Sequence, residues 1–396
     1  MTQSIEKTDG TRLETLLGDL VRIPSPTPPG DTRAIASFIA AELTHERVKV
    51  QILAAPEKSE AVSVVATLGQ GDPIIMLHAH LDTVPVADDE RQHWSQDPYT
   101  PTIRDGRLYG KGSVDDKAPL AAMIWAFKVL AGRQVNGTLI LVAAAEEEVG
   151  GQLGTKWLAE AGHLPHADFI IVGEQTRNRV ALAHKGVLRA SVTTRGRSVH
   201  ATEPDRGVNA ITAMAKVVLA LGHYHEALKA RSHPLVGHPT CNVGVIAGGS
   251  TANAVPDLCT VNLDRRMIPH EHPETVRAEL EQVVAEVDLG DAAAEVHTFL
   301  FSSWFDSGLE TAHGQTFRDC VDEACGEPQE TVGYLPGSDA KHLMTLKRGD
   351  MVVFGPGSYE VAHAFDEYVD LAELAQTEAI LTRFLQRTLG DTHEQP

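Results

Sequence analysis

Several short apolar runs in this chain stop at an acid or an imidazole, and that pattern constrains the fold more than any other feature. Pro73–His80 carries His78 and His80 and leads to Asp82. Gly137–Ala145 runs into Glu146, Glu147 and Glu148. Asp168–Gly173 runs into Glu174, and Asp350–Gly355 is followed by His363. Apolar runs of about four to eight residues are strand-sized. Together with Ser63–Leu68 they alternate with helix-patterned segments at Thr11–Ile23, Thr32–Glu46, Lys117–Gly132 and Gly150–Gly162. This alternation predicts an α/β fold, a mainly parallel sheet with helices on both faces. Open parallel sheets place their ligand sites at the carboxyl ends of the strands, so the acids and histidines gather at one edge. Asp115 and Asp116, in a loop just before the helix at Lys117, are within reach of the same edge.

The middle of the chain reads differently. From Gly186 to Phe299 the order is strand, long helix, two strands, helix: Val187–Thr194, Val208–Leu228, Cys241–Ala247, Thr260–Arg266 and Pro273–Val287. This is an α+β sandwich pattern. It predicts a domain at 187–299 inserted into a first domain formed by 1–186 and 300–396. Helices at Thr311–Cys325, Ser338–Thr345 and Leu371–Leu389 belong to the returning part. The length of 396 residues suits two cores rather than one.

A formal charge of -20 repels phosphate backbones and anionic lipids, so neither nucleic acid nor a membrane is an expected partner. Cys241, Cys259, Cys320 and Cys325 form no C-x-x-C pair. Four scattered thiols make no disulfide framework and point to a reducing compartment. The stretch Met1–Gly10 is polar, without an apolar leader core, and a cytoplasmic location is expected.

So many like charges at one edge repel unless cations neutralise them. Mixed imidazole and carboxylate donors suit zinc, and also cobalt or manganese, and a pair of such ions can activate water and polarise a carbonyl together. Residues two apart on a strand share a face, so Asp82 can accept a hydrogen bond from the ring of His80 and fix it. His78 shares that face, and spacing alone leaves open which histidine meets metal. Glu147 and Glu148 are neighbours whose side chains diverge, so one can ligate while the other moves protons. The glycines of Gly248-Gly249 lack the strand–loop–helix context of a phosphate loop.

Five stretches in order carry a family likeness over nearly the whole chain. They are His78-Ala79-His80-Leu81-Asp82-Thr83-Val84-Pro85, Gly110-Lys111-Gly112-Ser113-Val114-Asp115-Asp116-Lys117, Glu146-Glu147-Glu148-Val149-Gly150-Gly151, Val172-Gly173-Glu174 and Ala362-His363-Ala364-Phe365-Asp366-Glu367. With them the sequence resembles the acetylornithine deacetylase, succinyl-diaminopimelate desuccinylase and glutamate carboxypeptidase group of di-zinc peptidases. The resemblance implies that His80 and Glu174 hold one metal, Glu148 and His363 the other, and Asp115 bridges them beside a cis peptide bond to Asp116. It implies that Asp82 orients His80 and that Glu147 is the general base and acid.

In the middle domain the resemblance extends to Gly196-Arg197-Ser198-Val199-His200, to Gly207-Val208-Asn209-Ala210-Ile211, to Gly248–Pro256 and to Asp264-Arg265-Arg266. It implies a homodimer formed through this domain. His200 would then reach the partner's site to steady an oxyanion, and Asn253 and Arg266 would hold a substrate carboxylate. The expected activity is hydrolysis of the amide bond in small N-acyl amino acids or dipeptide-like substrates. The rivals are an aminohydrolase or aryl-amide hydrolase using the same site, and a non-catalytic metal-binding scaffold. Lys111, Asp116, Ala118 and Gln175 depart from the family's common residues, and none of the four is expected to touch a metal ligand.

Overall fold

The computed structural model describes residues 10–390. The polar stretch 1–9 and the residues after 390 lie outside the described residues. Two compact units divide the chain: one runs up to Leu182 and resumes at Ser307, and the other is Ala183–Asp306. These bounds compare with the 187–299 insertion expected from the sequence.

The central sheet runs Val48–Ala54, Val62–Gln70, Gly137–Ala144, Ile74–His80, Ala167–Val172, Lys347–Val353, Ala181–His184, Phe305–Asp306, with Val332–Tyr334 also paired to Ala181–His184. The inner four of these strands are mutually parallel. The flanking strands join antiparallel. The α/β expectation therefore holds at the centre of the sheet. Successive residues of Gly137–Ala144 point to opposite faces, yet all are buried, so both faces of the sheet are covered. Helix Lys117–Ala131 is buried nearly all round. It packs on the sheet and against the helices Gly10–Arg22 and Leu371–Leu389, which explains its lack of a polar face.

The second unit is an antiparallel sheet in the order Thr240–Gly248, Leu258–Met267, Gly186–Arg195, Ala293–Ser302. Helices Ala210–Leu228 and Pro273–Ala285 supply Met214, Val217, Leu221 and Leu280 to a core with Leu188, Val192, Val261 and Leu263. The strand Ala293–Ser302 is absent from the sequence reading. Its residues alternate between exposed and half-buried, so no clean apolar face marks it. Val48–Ala54 and the small sheet of Thr102–Arg104, Arg107–Tyr109 and Tyr368–Asp370 are also additions.

One expected helix is not continuous. Gly150–Gly162 holds a five-residue wide turn at Gln152–Lys156 and a short helix at Trp157–Glu160. Gly150 and Gly151 take left-handed backbone, and Gly154 lies against the carbonyl of Ala145, where a Cβ would sit 1.8 Å from that oxygen. Gly154→Ala should therefore lower stability by roughly 1–3 kcal/mol, seen as a lower midpoint in thermal or urea unfolding. The consequence is local: this turn follows directly on Glu146–Glu148.

All four cysteines are free thiols. Among the described residues no helix is long and apolar enough to cross a membrane.

Candidate metal centre

The four parallel strands all end at the same edge, and each leads into an acid or a histidine. His80 is the last residue of Ile74–His80. Glu146 to Glu148 follow Gly137–Ala144, Glu174 follows Ala167–Val172, and the loop after Lys347–Val353 carries His363. The helix Lys117–Ala131 begins immediately after Asp115 and Asp116, which are joined by a cis peptide bond.

Asp115 is the hub. Its Oδ1 lies 3.0 Å from His80 Nε2, and its Oδ2 lies 3.1 Å from His363 Nε2. The same His363 nitrogen is 3.2 Å from Glu148 Oε2, while Glu148 Oε1 accepts the Val84 N–H at 2.9 Å. Two groupings of donors have ligand atoms within 4.8 Å of one another: His80, Asp115 and Glu148, and His80, Asp116 and Glu174. All these residues are buried or half-buried except His363, whose side chain is 52% exposed on its loop.

The charges are strongly perturbed. Burial opposes a charge on His80, but hydrogen bonds with Asp115 and Asp82 hold its pKa well above the usual imidazole range. Hydrogen bonds to Asp115 and Glu148 lift His363 to about 10. Burial pushes Glu174 well above the usual carboxylate range, with the Asp116 charge adding to it. These are the signatures of a site whose acids lack a compensating positive charge. Asp116 Oδ1 is buried without a hydrogen-bond partner, although Oδ2 accepts the His80 backbone N–H at 3.1 Å. A donor set of imidazoles and carboxylates with an orphaned buried oxygen fits a pair of divalent cations.

His80 is the histidine at this site. His78 Nε2 instead lies 2.7 Å from Thr155 Oγ1 and 3.6 Å from Asp339 Oδ2, and burial depresses its pKa to about 4. Asp82 meets the His80 ring through two groups. Its main-chain oxygen lies 3.0 Å from the ring Nδ1, and its carboxylate lies 3.6 Å from the same nitrogen. That carboxylate also accepts the N–H groups of Glu147 at 3.1 Å and Glu148 at 3.4 Å, fixing the turn that separates the two glutamates. Glu146 opens this turn in left-handed backbone and accepts the Leu153 N–H at 3.1 Å.

Glu147 is half-buried, and its carboxylate accepts from Lys341 Nζ, 3.4 Å from Oε1; among the described residues it has no hydrogen bond or ion pair with His80 or His363. Burial lifts the carboxyl to about 7, while the Lys341 charge works in the other direction. An acid poised near neutrality beside metal donors is suited to taking and returning a proton.

The sequence model of peptidase family M20/M25/M40 matches residues 76–387, a span that contains every one of these residues. The chain belongs to this family. It is a metal-dependent hydrolase. The chain is 35% identical over 370 residues to an acetylornithine deacetylase of Myxococcus xanthus, covering 92% of this chain and 93% of the relative. In structure it is similar to a tripeptidase of Staphylococcus aureus, with a TM-score of 0.77 and 23% identity, covering 96% of this chain and 99% of the other. It is also similar to a dinuclear metal binding peptidase of Bacillus subtilis, with a TM-score of 0.67 and 18% identity, covering 96% and 99%.

The M20 chain also corrects its own sequence reading. Asp116 and Gln175, expected to stay clear of the ligands, both touch them: Asp116 through the His80 backbone, and Gln175 through hydrogen bonds from Nε2 to Asp115 Oδ1 at 3.0 Å and Glu174 Oε2 at 3.2 Å. Lys111 acts at one remove. Its Nζ pairs with Glu367 Oε2 at 3.0 Å, and Glu367 Oε1 accepts the N–H groups of Val114 and Asp115, holding the loop that carries the hub. Tyr334 and Lys341 have no local sequence signal, because the segment Val332–Leu343 shows no acid or histidine at a strand end.

His200, Asn253 and Arg266 belong to the second unit and are not part of this cluster. His200 is exposed, with Nδ1 2.9 Å from Thr202 Oγ1. Asn253 is exposed and accepts from Thr251 Oγ1 at 2.7 Å. Arg266 is half-buried and donates to Asp264 Oδ1 at 2.7 Å. Its neighbour Arg265 is fully buried and committed to Glu271 and Tyr224.

Lys341 supplies a test of the Glu147 environment. The ammonium favours the ionised carboxylate, so Lys341→Met should move the acidic limb of the pH–rate profile to higher pH and lower the rate at neutral pH several-fold. Steady-state rates across pH check this.

Proposed function

We propose that the protein hydrolyses the amide bond of small N-acyl amino acids or dipeptide-like substrates that carry a carboxylate. The observation behind this reading is Glu147, poised near neutrality beside two groupings of metal donors and belonging to neither. The likeness to an acetylornithine deacetylase supports the deacylase class.

His80, Glu174 and Asp115 would hold one divalent cation, and Glu148, His363 and Asp115 a second; zinc suits the donors, and cobalt and manganese are alternatives. When bound, the cations polarise the amide carbonyl and acidify the attacking water. Glu147 takes a proton from that water as its oxygen bonds to the carbonyl carbon. It then passes the proton to the amide nitrogen as the C–N bond breaks, releasing a carboxylic acid and an amine. Asp82 keeps Glu147 and Glu148 apart through their backbone N–H groups, so ligation and proton transfer fall to different side chains.

The second unit would complete the site in a homodimer. His200 would support the oxyanion from the partner subunit, and Asn253 and Arg266 would hold the substrate carboxylate. In support, the edge strand Thr240–Gly248 and the helix Ala210–Leu228 leave Val245, Ile246, Ile211 and Leu219 exposed. Apolar side chains on an open strand edge call for a covering partner. Val245→Lys together with Ile246→Lys should convert a dimer to a monomer in sedimentation velocity, with loss of activity.

Amine release from a panel of N-acyl amino acids, dipeptides and aryl amides tests the function. The metal-stripped protein is assayed before and after addition of zinc, cobalt or manganese. Turnover restored by metal on N-acyl amino acids or dipeptides supports the proposal. Tight metal binding without cleavage of any of these would overturn the substrate class.

A further inference from the structure

Gln175 is a neutral side chain placed between two acids. Its Nε2 has two hydrogens, and they meet two different carboxylates: Asp115 Oδ1 at 3.0 Å and Glu174 Oε2 at 3.2 Å. Its Oε1 and Glu174 Oε2 both face the Tyr334 hydroxyl, at 2.8 and 2.9 Å, and share its single hydrogen. Both residues are buried, Gln175 at 2% and Tyr334 at 3% exposure. The segment carrying Tyr334 is tied down by the Val332 N–H, which donates to the Val180 carbonyl at 2.9 Å.

The chemistry of this arrangement is selective. An amide can donate to both acids without adding charge, so the edge keeps its full negative charge for cations; a lysine or arginine here would compete with them. An amide can also flip, which would turn Oε1 toward two carboxylates. The two carboxylates disfavour that flip, because Oε1 would then face them acceptor to acceptor, and the Tyr334 hydroxyl sits against Oε1 on the other side. Gln175 thus fixes two acids, and Tyr334 holds both Gln175 and Glu174.

We propose that Gln175 and Tyr334 are a positioning pair that holds Asp115 and Glu174 in the spacing one divalent cation requires. The inference rests on the two-metal reading of the site. Neither residue contacts Glu148 or His363 in any hydrogen bond or ion pair described, so the effect falls chiefly on the cation held by Glu174.

Calorimetric titration of the metal-stripped full-length protein with Co²⁺ tests the pair, using Gln175→Met and Tyr334→Phe. Both variants keep the side-chain bulk, and near-ultraviolet circular dichroism and thermal midpoints check their folding. The expected result is two binding steps in the unmodified protein. One step should weaken by about 10- to 100-fold in each variant, the usual size for groups that orient metal ligands, and the other should change far less. The double variant should lose less than the sum of the two single ones, because both residues act on the same Glu174 oxygen and on each other; a general loss of packing would not produce that non-additivity. Unchanged affinity in both variants, or an equal loss at both steps, overturns the proposal. If the unmodified protein itself binds fewer than two ions, the two-metal reading fails with it, and that outcome is distinguished by being present before any substitution.

Discussion

Glu147→Gln should lower the rate of amide hydrolysis by about 100- to 10,000-fold, the range that a general acid–base supplies, while two cations still bind. The substitution keeps the shape of the side chain and removes its ability to accept a proton at neutral pH. Glu147 belongs to neither donor grouping and has no hydrogen bond or ion pair with His80 or His363 among the described residues, so both groupings stay in place. The ion pair with Lys341 is lost, but its partner keeps hydrogen bonding to the Ser338 carbonyl at 3.0 Å, so folding should be preserved. Metal content by atomic emission and turnover on the best substrate, measured on the same preparation, check both halves. Retained activity would remove Glu147 from the mechanism. Loss of metal together with activity would make it a ligand rather than a base.

Asp115→Asn should be more severe, because it removes charge from the hub. Both carboxylate oxygens of Asp115 are engaged, one toward His80 and one toward His363. An asparagine offers one oxygen and one amide nitrogen, and the nitrogen cannot ligate. The protein should then hold at most one cation with useful affinity, and activity should fall by at least about 1,000-fold, roughly 4 kcal/mol of lost transition-state stabilisation. Inductively coupled plasma analysis and a metal-saturated assay measure the two effects. A variant that retains both ions and turnover would show that Asp115 does not bridge.

Much of this site is legible in the sequence because it is built from strand ends. An apolar run that stops at an acid identifies both a buried strand and the edge to which its side chain is delivered, and the parallel pairing of Gly137–Ala144, Ile74–His80, Ala167–Val172 and Lys347–Val353 gathers those ends without any further information. The second unit is legible for a similar reason up to its fourth strand, whose mixed burial leaves no pattern to read. The broken helix at Gly150–Gly162 shows the opposite case. Its apolar spacing is helical, but the close approach of Gly154 to Ala145 depends on a neighbouring strand that local periodicity does not contain.

The sequence by itself determined that acids and histidines would meet at one sheet edge, because alternation of short strands and helices leaves a parallel sheet few other ways to cover its faces. Tertiary structure alone decided which groups touch. It set His78 against Thr155, brought the Asp82 carbonyl as well as its carboxylate to the His80 ring, and brought Lys341 to Glu147 across 194 residues and Tyr334 to Glu174 across 160. The physical reason is range: periodicity records which face a residue takes within its own element, whereas a hydrogen bond of about 3 Å between distant segments is fixed by how whole elements pack.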